Sequence, residues 1–541
     1  MKHVVALAAL FTVAACEACG APALAAAPKA LPPVPAAASA ASALFTPNAV
    51  TSYGSVTIDG HKINYKAVAG TLIVHPKGWN DATTPATGKG ALGEPDGPPV
   101  ASMFYVAYFK RGVPAHDRPI TFLYNGGPGS STVWLHMGGM GPVRVVTNNN
   151  THTPAAPYSI IKNKYSLLDA TDLVFIDAPG TGYSRIAGKN AAKAFYGVDP
   201  DGHAFASFIT QFLAHYQRWN SPKYLLGESY GTPRSAVLIK DLEIGRAVDF
   251  NGVILLSQIL NFALNADAPG TNPGIELPYE LALPSMAATA WYHHALPSNP
   301  PHLLPFLKTV ETFAMGPYAD ALAQGADLPS ADRQSIAEQM HQDIGLPVSY
   351  LLKANLQVSG PEFEHELLNN EDMTTGRLDS RFEGPSMDPL SREAYYDPQS
   401  AAISSAYVTA FNAYASKDLH YQTDLRYLPE IFTHWDFRHR PPGAPIPVPI
   451  ATNVMPDLAA AMKYNPDLKV MLNGGYYDLA TPFCEGLYEM HHLQIPNSLQ
   501  SNITYAYYKS GHMIYVNIPA LKQLHANIAA FIRKTDNVSG G

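Results

Sequence analysis

The residues most able to do chemistry sit in KYLLGESYGTPRS, residues 223–235, where Ser229 stands between Gly227 and Gly231 and directly after Glu228. An apolar run enters this Gly-x-Ser-x-Gly pattern and Pro233 suits the first turn of a helix leaving it. A sharp strand-to-helix turn of this kind tolerates little side chain and lifts the serine hydroxyl off the sheet edge. The same letters also fit an ordinary turn carrying a surface serine, so the rest of the chain must decide. A serine hydroxyl is a poor nucleophile unless a general base takes its proton and a third group orients that base. In a chain of this pattern the expected order is Ser, then Asp or Glu, then His. Asp478 follows an apolar run in NGGYYDLATP, and His512 follows another in KSGHMIY. There are twenty histidines, but His491 and His492 read as part of a helix over 485–493. Asp467 precedes its strand and Glu485 lies within that helix, so position selects Asp478 and His512. Acyl transfer also needs backbone N–H donors for the developing alkoxide. One is expected from Tyr230, and the other from the Gly-rich turn in FLYNGGPGSS, residues 122–131. A plain Gly/Pro turn fits too, whereas a phosphate loop does not, since no Gly-Lys-Ser/Thr follows.

The elements that must hold these residues are short continuous apolar runs at 120–124, 173–176, 224–226, 253–256, 470–472 and 505–508. Each ends in Gly or a polar residue. Continuous runs suit strands buried on both faces, as in a parallel sheet, and chemistry then belongs at their C-terminal ends. Residues 203–219 repeat apolar side chains at helical spacing. Residues 55–76 alternate, with a turn at Asp59-Gly60, and read as an antiparallel hairpin; 77–99 read as loop, and 100–109 as a further strand. Residues 263–445 break the rhythm with helical patterns at 303–324, 328–342, 345–357 and 401–415, and read as a cap inserted into the sheet. The expected fold class is α/β: a mostly parallel central sheet flanked by helices, with a largely helical cap. The expected divisions are a signal peptide at 1–25, an Ala/Pro-rich linker at 26–50, core at 51–262, cap at 263–445, core again at 446–535 and a tail at 536–541.

The chain has 541 residues, 47% hydrophobic and 15% charged, enough for a large core. A net charge of -8 speaks against nucleic acid, which wants a basic patch. Lys2 and His3, the apolar residues 4–15 and Ala23-Leu24-Ala25 form an export signal too short to span a bilayer. In a second reading, Val13-Ala14-Ala15-Cys16 is a lipobox that anchors the chain at Cys16. Either reading takes the protein out of the cytoplasm, to the periplasm or beyond. Three cysteines, two of them in or beside the signal, imply no structural disulfide, and no Cys/His spacing suggests a metal.

NGGPGSS (125–131), DAPGTGYS (177–184), GESYG (227–231), GGYYDLATP (474–482) and SGHM (510–513) together resemble the serine carboxypeptidase family, in that family's order. The resemblance implies the α/β-hydrolase fold, a Ser229–His512–Asp478 triad, and Gly127 and Tyr230 as oxyanion donors. It implies that Glu228, with Asn125 and Gly126, binds the terminal carboxylate of a peptide substrate, and that acidic pH is preferred, because two acids share a proton only if one is neutral. No cofactor or metal is implied. The chain departs from the pattern at Leu123, where the family has Trp; at Ser130, where it has Cys; near Gly139, where a second Glu is expected; and at Tyr476, where an earlier Asp is expected. The leading expectation is an exported serine carboxypeptidase. An esterase or acyltransferase on the same scaffold is the alternative, and a surface binding protein with an inactive site is the third.

Overall fold

A computed structural model describes residues 44–80, 92–444 and 452–538. The expected signal peptide, most of the expected linker, part of the 77–99 loop and the last residues of the expected tail lie outside the described residues.

The strands are β1 (Asn48–Ile58), β2 (His61–Val74), β3 (Val100–Lys110), β4 (Ile120–Tyr124), β5 (Val143–Val145), β6 (Ile160–Lys162), β7 (Asp172–Ile176), β8 (Arg185–Ala187), β9 (Lys223–Ser229), β10 (Gly252–Gln258), β11 (Met373–Thr375), β12 (Glu383–Pro385), β13 (Lys469–Gly475) and β14 (Ile503–Tyr508). The main sheet is 10-stranded, in the order β1-β2-β3-β7-β4-β9-β10-β13-β14, with β8 pairing off β3. From β7 to β14 every pairing is parallel, and the β1–β2–β3 edge is antiparallel. This is the α/β-hydrolase arrangement the motifs implied.

The runs are continuous because the strands are covered twice. Leu123, Tyr224 and Leu226 pack into one apolar cluster with the helix Ile518–Thr535. Phe122 and Leu225 pack into another with the helices Val198–His215 and Gly231–Lys240. Strand order reverses at β4: the chain leaves it for β7 on one side, then returns to β9 on the other. Such a switch point opens a crevice at the carboxyl ends of the strands. Asn125, Asp177 and Ser229 all emerge there.

Residues 263–445 do not behave as one unit. The helices Leu277–Tyr292, Leu303–Phe313 and Ser330–Ile344 build a separate apolar cluster, which takes in Tyr477 and Leu479 beside Asp478. The 345–357 pattern yields only the short helix Val348–Lys353, because Pro347 precedes it and Asn355 and Leu356 adopt positive φ after it. The helix Pro398–Lys417, expected in the cap, instead packs through Ile403, Tyr407 and Phe411 into the sheet's own cluster. Residues 428–437 form a strap along the sheet's carboxyl edge. Leu428 exchanges backbone hydrogen bonds with Gly182, Pro429 O accepts from Ser131 N, and Ile431 N donates to Gly129 O.

At the opposite end of β7, Asp172 is buried between two arginines. Its carboxylate accepts from Arg118 Nε at 3.0 Å and Arg218 Nη1 at 2.6 Å. Removing one partner of such a buried set leaves uncompensated charge. Asp172→Ala is expected to cost about 3–5 kcal/mol in urea unfolding, with the loss seen in the midpoint rather than the slope.

Candidate active site

Ser229 ends β9 with φ of 59°, a left-handed conformation that a non-glycine residue holds only when its surroundings enforce it. The enforcement is steric. A Cβ on Gly227 would stand 2.1 Å from Gly231 O, and one on Gly231 would stand 2.9 Å from Tyr124 O. Below the turn, Thr232 Oγ1 donates to Ser229 O at 2.7 Å and accepts from Ile259 N at 3.1 Å. Ser229 is half-buried, while its neighbours Glu228 and Tyr230 are closed off from solvent.

The turn after β4 packs directly onto this elbow. A Cβ on Gly126 would lie 2.3 Å from Tyr230 N and 2.6 Å from Gly231 N, so only glycine lets the two backbones meet. Gly127 follows with φ of 103°. The exit of the turn is pinned by Asp177, whose Oδ1 accepts from Thr132 N at 2.8 Å. Burial pushes the Asp177 carboxyl up to about 7, against the hydrogen bond from Thr132. Ser130, standing where the resemblance expected Cys, accepts from Trp134 Nε1 at 2.8 Å. Beneath both motifs lies Arg234, with Nε on Asp201 Oδ2 at 2.6 Å and Nη1 on Asn125 O at 2.6 Å. Its guanidinium lies 4.4 Å from the Phe205 ring centroid.

His512 and Asp478 meet as the sequence order suggests. Nδ1 of the imidazole lies 2.8 Å from Asp478 Oδ2. Asp478 is fully buried, and its Oδ1 accepts from Ala480 N at 2.9 Å and Thr481 N at 3.0 Å. Thr481 Oγ1 donates to Oδ2 at 2.8 Å. The Asp478 bond to Nδ1 places the imidazole proton on that nitrogen, leaving Nε2 as the basic one. Burial pulls the His512 pKa down, but the Asp478 charge and hydrogen bond more than offset it, and the imidazole lies above its usual value. Ser257 Oγ donates to His512 O at 2.7 Å, and His512 N donates to Leu378 O at 2.6 Å.

Glu228 faces the same site. Asn125 Nδ2 donates to its Oε1 at 2.9 Å, while the Asn125 Oδ1 accepts from Leu135 N at 3.1 Å. Burial raises the Glu228 carboxyl to about 7, opposed chiefly by His512 and by a hydrogen bond from Tyr515. The structure therefore groups Asn125, Glu228, Asp478 and His512, and packs Gly126 against Tyr230. Three contributors escaped sequence reasoning. Tyr515 is one tyrosine of thirty, three residues past His512. Arg234 reads as an ordinary helix residue, and Trp435, whose Nε1 donates to Tyr230 Oη at 2.9 Å, lies in a strap without periodic signal.

Residues 96–260 match the model of the serine carboxypeptidase family; that stretch holds the Asn125 turn, Asp177 and the Ser229 elbow. A serine carboxypeptidase-like 36 protein of Arabidopsis thaliana is 25% identical over 177 residues, which is 31% of this chain and 34% of that protein. The chain thus spans about a third of the length of that curated relative. Among solved structures, the proline iminopeptidase of Mycobacterium smegmatis aligns at 12% identity and a TM-score of 0.33, covering 90% of this chain and 99% of its own. The peroxisomal α/β-hydrolase Lpx1 of Saccharomyces cerevisiae aligns at 9% identity and a TM-score of 0.33, over 87% and 92%.

The Gly126–Tyr230 contact yields a direct test. Gly126→Ala must push the turn off the elbow and misplace the donors it carries. Loss of one oxyanion donor costs about 10²–10³ in kcat. A fall of that size is expected in hydrolysis of an activated ester, with circular dichroism showing a retained fold.

Proposed function

We propose that this protein is a serine carboxypeptidase that releases the C-terminal amino acid of a peptide through an acyl-enzyme. The observation that carries the reading is the buried Asn125–Glu228 pair beside Ser229, whose Glu228 Oε2 has no hydrogen-bond partner among the described residues. A carboxyl raised to about 7 is neutral below that pH, and a neutral carboxyl donates a short, charge-assisted bond to a substrate carboxylate. An ionised one repels it.

In the proposed cycle, Ser229 Oγ attacks the scissile carbonyl as its proton passes to His512 Nε2. The amides of Gly127 and Tyr230 receive the oxyanion. Collapse breaks the C–N bond, and His512 returns the proton to the departing amine. Water then enters, gives a proton to His512, and hydroxide adds to the acyl carbon. The second collapse restores Ser229 and frees the shortened peptide. Asp478, on Nδ1, orients and stabilises the imidazolium. Preference for a free C-terminus comes from Glu228, Asn125 and Gly126.

The pH dependence follows from two groups of opposite demand. His512 must be neutral to act as base, so kcat rises with pH as it loses its proton. Glu228 must be neutral to bind, so affinity for a free carboxylate falls as pH passes about 7. Together they give a bell-shaped kcat/KM, with acidic solution favouring the binding half. The esterase or acyltransferase reading draws support from Gly139, which stands where the family resemblance expects a second acid. Export, as a secreted, periplasmic or Cys16-anchored protein, rests on the N-terminal sequence pattern. No helix among the described residues is long and apolar enough to cross a membrane.

Two measurements test the reading. A blocked dipeptide with a free carboxylate is expected to be cleaved with at least about tenfold higher kcat/KM than its amide at pH 6, a difference of ~1.4 kcal/mol. Equal cleavage of both would remove the carboxylate site, and Ser229→Ala should abolish either reaction. In Glu228→Gln the side chain cannot ionise, so the rise in KM above pH 7 should vanish from the pH profile.

A further inference from the structure

Both donors that reach Glu228 land on the same oxygen. Asn125 Nδ2 lies 2.9 Å and Tyr515 Oη 3.2 Å from Oε1, while Oε2 is buried without a partner among the described residues. A neutral carboxyl carries its proton on one oxygen only, and that oxygen becomes a donor. Oε1, already accepting from two groups, is the poorer seat for it. The proton belongs on Oε2.

We propose that Tyr515 is a positioning residue of the carboxylate site, saturating Glu228 Oε1 together with Asn125 and so holding the acid's proton on Oε2, where the terminal carboxylate of a substrate accepts it. This rests on the carboxypeptidase reading and adds a residue to it. The Tyr515 ring is held for the purpose. A Cβ on Gly138 would lie 2.4 Å from its Cδ2, and one on Gly139 would lie 2.7 Å from its Cβ. The glycines that replace the expected second acid therefore make room for a tyrosine that reaches Glu228 instead. Tyr515 lies on the single turn Ile514–Val516, whose Ile514 O accepts from Ser510 Oγ at 3.1 Å. Base and positioning residue thus ride on one loop.

The groups that face Glu228 set the sign of the pH response. His512, Tyr515 and Asn125 favour its ionised form, and Asp478 disfavours it; Tyr407 lies close enough to feel its charge. Burial first, then Glu228, hold the Tyr515 phenol well above its usual range, so it remains a neutral donor. Removing its hydrogen bond withdraws support from the carboxylate, and the Glu228 titration moves to higher pH.

The experiment compares Tyr515→Phe with the wild type from pH 5 to 9 on two substrates. One is a blocked dipeptide with a free carboxylate, and the other a blocked amino acid p-nitrophenyl ester that has none. The ratio of kcat/KM for the acid to that for the ester is expected to fall about 3- to 10-fold below pH 7, the worth of one hydrogen bond. The alkaline limb for the acid substrate should shift upward in pH. In a Glu228→Gln background the Phe substitution should move no limb. An unchanged ratio and limb, in an enzyme whose wild type does prefer the free carboxylate, would overturn the role of Tyr515 alone. Equal losses on both substrates without a limb shift would reduce Tyr515 to a packing residue, which also overturns it. A wild type with no preference for the free carboxylate would overturn the site itself.

Discussion

Everything at the carboxyl edge of the sheet depends on two backbones touching where no side chain intervenes. Gly126 lies so close to Tyr230 N that a methyl group there is sterically excluded. That contact seats the turn after β4 directly on the elbow that carries Ser229. Arg234 locks it from below, since one guanidinium binds both Asp201 and the Asn125 carbonyl. Trp435 steadies it from the side through Tyr230. The strained φ of Ser229 is one result of this enforced closeness, and the burial of Glu228 is another.

Burial converts that geometry into electrostatics. Glu228 and His512 titrate in opposite senses within one site, and each feels the other. An ionised Glu228 raises the imidazole pKa, and a protonated imidazole lowers that of the acid. A neutral Glu228 thus relieves His512 of one source of proton affinity while serving as donor. In the proposed mechanism, the state suited to holding a substrate carboxylate is also the one that frees the base. Ala480, Thr481 and His512 between them satisfy both oxygens of Asp478, which fixes its place beside the imidazole.

The strands and the meeting of Asp478 with His512 were legible in the sequence because each leaves a local signature. A strand covered on both faces is an unbroken apolar run, and a strained turn demands glycine at both ends of Gly-x-Ser-x-Gly. Tyr515 left none, since its role comes from space vacated at Gly138 and Gly139, far away in the chain. Arg234 sits at a helical position that usually meets water; only the fold shows it buried against Asp201. The helix Pro398–Lys417 spreads Ala, Ser and Tyr around its circumference, and nothing in that sequence says which sheet or cluster it covers. Residues 428–437 act mainly through backbone hydrogen bonds, which carry no side-chain code.

The strap has a further consequence in time. A chain is synthesised from its N-terminus, and its parts fold as they become complete. Ser229 emerges early, but Leu428 and Ile431, which bind the glycine motifs at Gly182 and Gly129, follow about two hundred residues later. Asp478 and His512 come later still. An unfinished chain therefore displays the serine without its base and the donor turn without its brace. Under the proposed triad, the distance along the chain between the parts of one site keeps Ser229 without its base until the last stretch of synthesis.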